Sequence, residues 1–177
     1  MCIRDSGITS VYEVYAGDNV SRINNTQIVG NIFNGNDTGI GLIMNQRDFK
    51  DLNISKNIFR DGGTAIRFGG GGYGPRVHSV YINDNVVLNH SIGINVANVY
   101  GGANQDTNTM PEYPIDCQRN ILLGNTTSLS VSANSMKNRF SHNIFVGSNG
   151  ISISSSGGND LYTQNVCLLY TSDAADE

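Results

Sequence analysis

KNIFRDGGTAIRF, residues 56–68, carries a pattern that returns along most of the chain. An Asn precedes two large apolar residues and a polar turn, and nine residues after the Asn comes the first of two apolar residues separated by one other. The aligned positions are Asn31, Asn57, Asn85, Asn120, Asn143 and Asn165, at steps of 26, 28, 35, 23 and 22 residues. A period of about 20 to 50 residues is typical of solenoids, propellers and other arrays, so the sequence predicts a repeat protein.

Two apolar columns accompany the Asn. Three residues before it stand Ile28, Ile54, Ile82, Cys117, Phe140 and Tyr162, and eight or nine after it begin the pairs Ile40/Leu42, Ile66/Phe68, Ile94/Val96, Leu129/Val131 and Ile151/Ile153. Alternation in Leu52-Asn53-Ile54 indicates strands with one buried face, whereas no repeat has apolar residues at helical spacing over a helical length. Each repeat therefore predicts three short strands, stacked on the next repeat at the strand spacing of about 4.8 Å.

The recurring Asn has a structural interpretation. Asn tolerates the left-handed backbone of a sharp bend between strands. Its amide has donors and an acceptor, so identical side chains can hydrogen-bond to those above and below. We expect the six Asn to form an inward ladder. The pattern leaves open which of the two apolar residues after each Asn faces inward.

The composition favours a turn-rich β protein, with 21 Gly, 24 Asn and only three Pro in 177 residues. Regular Ile, Val and Phe columns argue against disorder, because disordered chains lack such residues. The sequence has no basic stripe of the kind that binds nucleic acid and no apolar run of about 18 residues that predicts a membrane span. Cys117 lies in an inward column and is interpreted as a small buried hydrophobe.

Both ends of the chain resemble translated sequencing-adapter strings: "MCIRDS" at the start and "CLLYTSDAADE" at the end. Residues 1–6 and 168–177 are therefore interpreted as scars and residues 7–167 as the native segment. Without the scars, ten Lys and Arg stand against eleven Asp and Glu, so the segment is close to neutral.

The repeat resembles the right-handed parallel β-helix of the pectate-lyase-like superfamily. The resemblance implies an all-β solenoid of about five to six coils, truncated at both ends, and an extracellular or periplasmic location. It assigns the strand that carries the apolar pair, such as Ile66/Phe68, to a first sheet. The strand before each Asn would belong to a second sheet and the strand after it to a third. Outward residues of the first sheet would then be Gly41, Arg67, Asn95, Ser130 and Ser152.

A charged column precedes the Asn residues. Lys56, Asp84 and Arg119 hold equivalent positions in successive repeats, so opposite charges would be neighbours on adjacent rungs. Such cross-strand pairs support register at little net energy, and we interpret the column as structural.

Long connections follow the first-sheet strand in three repeats, at residues 45–51, 69–79 and 98–114. A solenoid confines insertions to one face, often the binding face, so these connections are expected to border a groove. Aromatic rings can stack on sugars, and Arg can bind a carboxylate with paired donors, which suits an acidic polysaccharide. The residues interpreted as substrate-binding are Asn95, Tyr73, Arg76, Tyr100, Tyr113 and His90; those interpreted as catalytic are Arg67, Asp106, Glu112 and His78.

Roles within this groove come from the resemblance. Lyases of the superfamily commonly use calcium to neutralise a uronate carboxylate while an Arg or Lys removes the adjacent proton. This implies Arg67 as base or anion-stabilising cation, and Asp37 and Asp61 as calcium ligands, although calcium prefers about six to eight oxygens. Hydrolases need a separated carboxylate pair, which only Asp106 with Glu112 could supply.

The sequence leaves three functions open. The leading prediction is a carbohydrate-active β-helix protein, either lyase-like or hydrolase-like, that acts on polysaccharide. The alternative is a noncatalytic carbohydrate-binding or adhesin module whose Asn and Ser columns are scaffold. A copper-delivery β-helix is a third reading, but it would need a Met and His cluster that the sequence does not offer.

Overall fold

The computed structural model describes residues 8–12, 22–44, 48–69, 76–97, 113–132, 137–147, 149–154 and 160–169. Within these ranges the chain forms sixteen β-strands and no helix. The strands are β1 (Ile8–Tyr12), β2 (Arg22–Val29), β3 (Ile32–Asn34), β4 (Thr38–Met44), β5 (Asp48–Ser55), β6 (Ile58–Phe68), β7 (Arg76–Asn83), β8 (Val86–Val96), β9 (Ile115–Gln118), β10 (Ile121–Asn125), β11 (Thr127–Ser132), β12 (Arg139–Ser141), β13 (Ile144–Gly147), β14 (Ile151–Ser154), β15 (Leu161–Thr163) and β16 (Val166–Leu169).

The strands pair in parallel and wind into a β-solenoid. The second sheet has six strands in the order β15-β12-β9-β7-β5-β2. The first and third sheets are joined into one ten-stranded sheet, because β6 and β8 each run for 11 residues through both positions. The all-β parallel β-helix predicted from the repeat is confirmed.

The solenoid makes about 4 turns, slightly fewer than the five to six coils predicted. The prediction counted asparagine corners, and six corners enclose at most five windings. The last corner, Asn165, is flanked only by β15 and β16 among the described strands.

The predicted apolar columns form the interior. The first-sheet column of Ile40, Ile66, Ile94 and Leu129 is fully buried. Phe33 and Phe59 stack with ring centroids 4.6 Å apart, and Phe140 stacks on Tyr162 at 5.2 Å. Burying each such side chain contributes about 1.5–3 kcal/mol, so the columns are the main source of stability. Cys117 is 1% exposed and belongs to this core, as predicted.

The asparagine ladder is present. The side chain of Asn85 shows the pattern: its Oδ1 accepts from the backbone N and the Nδ2 of Asn57, both at 3.0 Å, and its Nδ2 donates to Ile54 O at 2.9 Å. The same contacts with the preceding rung recur along the column, which ends at Asn165 bonded to Asn143. Asn57, Asn85, Asn120 and Asn143 are fully buried.

The left-handed bend does not lie at the Asn, as the sequence interpretation had it, but at the residue before it. Gly30, Lys56, Asp84, Arg119, His142 and Gln164 have φ between 53° and 71°. The Asn side chain faces inward and bonds both to the preceding rung and to the next one, while the chain turns at the exposed residue before it. The exposed residue at the bend then bears the backbone strain.

The residue immediately after each of the first five Asn faces outward and the next one faces inward. At the last corner, both Val166 and Cys167 are exposed. Ile32 is 44% exposed whereas Phe33 is 2% exposed, and Ile144 with Phe145 repeats this contrast.

The charged column is confirmed in part: the Arg119 guanidinium holds Asp84 with two bonds of 2.8 and 3.0 Å. Arg119 therefore lowers the pKa of Asp84, and Lys56 does so more weakly.

Candidate functional site

The outer column of the first sheet is aligned rung by rung. Arg67 pairs in register with Gly41 on one side and Asn95 on the other, and Ser130 follows Asn95 and precedes Ser152. Ile66 and Phe68 are fully buried, so strand alternation turns Arg67 outward, where its side chain is exposed. The column places one guanidinium, one amide and two hydroxyls in a row along the solenoid axis.

The chemistry of this column is that of a binding surface for anions and hydroxyl groups. Its five residues include no carboxylate, so the column itself cannot supply the acid and base pair of a hydrolase. Arg67 carries a fixed positive charge with a planar set of donors that matches a carboxylate.

The two candidate calcium ligands, Asp37 and Asp61, are both exposed. Asp61 occupies another left-handed bend, with φ 53°, and its Oδ1 accepts a hydrogen bond of 3.0 Å from Asn89 Nδ2. In the part of the chain that the structure describes, no three His, Cys, Asp or Glu side chains cluster as metal ligands would. Two exposed carboxylates do not fit a cation that prefers about six to eight oxygens.

His90 lies inside the solenoid and not on the groove as predicted. Its side chain is 4% exposed, and Nδ1 is 2.8 Å from the carbonyl oxygen of Leu88. Its backbone N donates to Asn125 Oδ1 at 2.8 Å, so His90 and Asn125 form a second interior corner. Gly62, in register with His90, accommodates the ring, because a Cβ at Gly62 would stand 2.9 Å from Nε2. Burial lowers the pKa of His90 despite opposing effects of the Leu88 carbonyl and Asp61.

Arg76 and His78 belong to strand β7 of the second sheet, not to a connection. They pair in register with Asp48 and Lys50 of β5, so parts of two predicted connections are strand. The first two connections are shorter than predicted because β5 and β7 begin at Asp48 and Arg76. β9 begins at Ile115, directly after the third predicted connection. Asp106, Glu112, Tyr73 and Tyr100 lie outside the described residues.

Tyr113 belongs to a cluster on the outer face of the second sheet. The Arg139 guanidinium lies over the Tyr113 ring, 4.7 Å from its centroid. Arg139 also binds both carboxylate oxygens of Asp116, through Nε at 2.9 Å and through a close Nη2 contact. Gln118 Nε2 donates to the same two oxygens at 2.6 and 2.7 Å. Asp116 is 7% exposed, so its hydrogen-bonding capacity is used within the protein.

This cluster was missed in the sequence, although a signal was present. Asp116 and Arg139 stand four residues before Asn120 and Asn143, so aligning the repeats makes them neighbours of opposite charge. The structure pairs them in register. The cluster joins β9 to β12 of the second sheet, whereas Arg67 lies on β6 of the ten-stranded sheet.

Cys117, between Asp116 and Gln118, is no nucleophile. Burial raises the pKa of its thiol far above the usual range, with a smaller contribution from the Asp116 charge. Only the thiolate is reactive, so the side chain serves as packing.

None of the described segments forms a helix with the length and apolarity that a membrane crossing requires. Comparison of the chain with protein-family models, with curated proteins and with solved structures finds no match in any of the three.

Proposed function

We propose that the chain is part of a carbohydrate-active β-helix protein that binds an acidic polysaccharide along the outer face of its first sheet. The observation that carries this proposal is the exposed Arg67 in a row with Asn95 and Ser130. A polysaccharide is a linear polymer, and the row runs along the solenoid axis with one polar residue per rung. The proposal also places the protein outside the cell or in the periplasm, in keeping with the sequence resemblance.

Recognition would depend on charge and on hydrogen bonding together. The Arg67 guanidinium can bind a uronate carboxylate through two parallel donors. Asn95 and Ser130, on the following rungs, offer donors and acceptors that suit sugar hydroxyls. Both are half-buried, and their backbone is fixed in register by the neighbouring strands, so binding requires no ordering of the backbone.

For catalysis, the column favours a lyase over a hydrolase. In a β-elimination, a base removes the proton beside the uronate carboxylate and the electron pair of that C–H bond forms a C=C bond. The glycosidic C–O bond breaks, and the leaving sugar oxygen takes up a proton from water. Arg67 would stabilise the negative charge that develops on the carboxylate. Because its guanidinium stays charged, Arg67 is better suited to this role than to that of the base.

A noncatalytic binding module is the second candidate, and the composition of the column favours it. A row of one Arg, one Asn and two Ser can bind a glycan but contains no group that readily accepts a proton. In this case the polymer would be retained on the first sheet without cleavage.

Binding is tested by calorimetric titration of the protein with uronic-acid polymers. We expect Arg67→Ala to weaken binding about 10- to 100-fold, as loss of a charge-assisted contact would. The matched control is Arg60→Ala, since Arg60 is an exposed Arg of the same strand in its third-sheet part. Equal affinity of Arg67→Ala and wild type, or an equal loss in Arg60→Ala, would contradict the proposed site.

Catalysis is tested by following the same polymers after incubation with the protein. An ultraviolet-absorbing unsaturated product indicates elimination, and new reducing ends without that absorbance indicate hydrolysis. Binding without either signal identifies the noncatalytic module.

A further inference from the structure

The outer face of the third sheet carries an apolar stripe along the solenoid. The residue after each corner Asn forms it, and register pairs join neighbours from rung to rung. The stripe consists of Ile32, Ile58, Val86, Ile121, Ile144 and Val166. Four of them are between 37% and 50% exposed, and Ile58 and Val86 are half-buried.

A second apolar column widens the stripe at its third and fourth rungs. Leu88, Leu123, Val146 and Leu168 are aligned two residues further along each strand. Leu123 is 36% exposed and Leu88 is half-buried. Val146 is 9% exposed, and Leu168, at 56%, belongs to the segment interpreted above as a scar. Contiguous exposed apolar surface of this kind marks an interaction site more often than isolated apolar residues do.

We propose that the third-sheet face, defined as the outer surface of β3, β10, β13, β16 and the first halves of β6 and β8, packs against the same face of a second copy of this chain. The two copies are related by a two-fold axis perpendicular to the solenoid axis. The interface leaves the first-sheet column free, so this proposal does not depend on the proposed function.

The dimensions of the face suit a weak, reversible dimer. Six strands at about 4.8 Å spacing give a length of roughly 29 Å. β3, β10, β13 and β16 contribute three to five residues each, which gives a width of roughly 10–17 Å. The projected area of roughly 300–500 Å² per partner lies below the approximately 800 Å² of a stable complex and is in the range of transient contacts.

The stripe is also complementary to itself. A two-fold axis at its centre reverses the order of rungs, so Val86 faces Ile121 of the partner subunit and Ile58 faces Ile144 of the partner subunit. All are β-branched residues of similar size. Both faces have the same rung spacing, so the side chains can interdigitate along the whole length, as in packed β-sheets.

Charges at the border follow the same symmetry. The bend column beside the stripe carries Asp84 on its third rung and Arg119 on its fourth. Reversal of the rungs places Asp84 opposite Arg119 of the partner subunit, which gives four alternating charges at the centre. Both side chains remain partly exposed in the single chain, at 38% and 52%, and so can make these additional contacts.

The first test is sedimentation velocity of the full chain over a range of concentrations. We expect a dimer that dissociates on dilution, and we expect Ile121→Lys to weaken it at least roughly tenfold, because a charge would be buried without a partner. The matched control is Tyr81→Lys, an exposed position of 42% on the second sheet, which should dimerise like the wild type. A wild-type monomer at every concentration, or equal dimerisation of Ile121→Lys, would overturn the proposal.

A charge exchange tests the orientation and does not depend on the folding of Ile121→Lys. Arg119→Asp places like charges opposite each other and should weaken the dimer. The double variant Asp84→Arg with Arg119→Asp restores alternating charges and should recover dimerisation. A double variant that dimerises no better than Arg119→Asp would rule out the proposed two-fold axis.

Discussion

A corner asparagine satisfies backbone groups that a bend in the chain leaves without strand partners. Asn85 donates to Ile54 O and to Asn120 Oδ1 and accepts twice from Asn57. Apart from Asn, few side chains of this length offer two donors and an acceptor together. This requirement explains why Asn returns at the corner although the interval between repeats varies from 22 to 35 residues.

Replacing a central ladder residue should therefore be severe. We expect Asn85→Ala to lower the free energy of unfolding by about 3–5 kcal/mol, since several buried groups lose their partners at once. Urea denaturation measures this loss. The control is Asn34→Ala, an exposed Asn of the third sheet, which should change stability by less than about 0.5 kcal/mol. Similar losses in the two variants would be inconsistent with the ladder.

The contribution of His90 to folding stability depends on pH. Burial lowers its pKa in the folded protein, so the unfolded chain binds a proton more readily. Its contribution to stability is fully present above the unfolded pKa of about 6.5 and is lost as the pH falls from there toward the folded pKa. Because one proton is involved, the free energy of unfolding cannot change by more than about 1.4 kcal/mol per pH unit through this effect.

The variant His90→Asn isolates this contribution, because Asn occupies the equivalent positions Asn36 and Asn125. We expect this variant to fold. Between about pH 7 and 5, its stability should decrease less than that of the wild type, because His90 is absent. Thermal unfolding at a series of pH values measures the difference. An unchanged pH profile would show that His90 is not the titrating group.

At the scale of the elements, side-chain pairs connect neighbouring strands of the second sheet. Asn53 Nδ2 donates to Gln27 Oε1 at 2.8 Å between β5 and β2, and Arg139 binds Asp116 between β12 and β9. The second pair is the stronger, because Asp116 is nearly buried and accepts from two side chains.

A double-mutant cycle measures this connection. We expect Asp116→Ala to cost about 2 kcal/mol, because Arg139 is then left on the sheet without its carboxylate. Arg139→Ala in the Asp116→Ala background should cost much less than in the wild type, which gives a coupling of about 1–2 kcal/mol. Additive losses would show that the two side chains do not act together.

The sequence predicted the elements better than it predicted the site. Period-2 alternation and the stacked Asn were sufficient for the strands and for the outward orientation of Arg67. The position of the bend was missed, because Lys56, Asp84, Arg119 and His142 share no side-chain property, and only the backbone makes them equivalent. His90 was misplaced for a related reason: a polar residue in a turn is usually exposed, but an interior corner can bury it if its hydrogen bonds are met.

At the scale of the whole molecule, the repeats stack along a single axis, and this stacking forms one surface of aligned residues on each of the three sheets. The first sheet presents a polar row around Arg67, the second sheet presents the Asp116 cluster, and the third sheet presents the apolar stripe. Each surface is a column of equivalent repeat positions, so residues more than 20 apart in sequence become direct neighbours. The glycan and the second copy would thus be bound on separate faces of the same solenoid.

The central claim is that the six Asn residues lie one above another at the same corner of the solenoid. Nuclear Overhauser measurements on the side-chain amide protons of Asn85 test it most directly. The account predicts contacts to Asn57 and Asn120, which are 28 and 35 residues away, together with slow exchange of these protons with water. Rapid exchange with water and the absence of both contacts in the folded protein would contradict it.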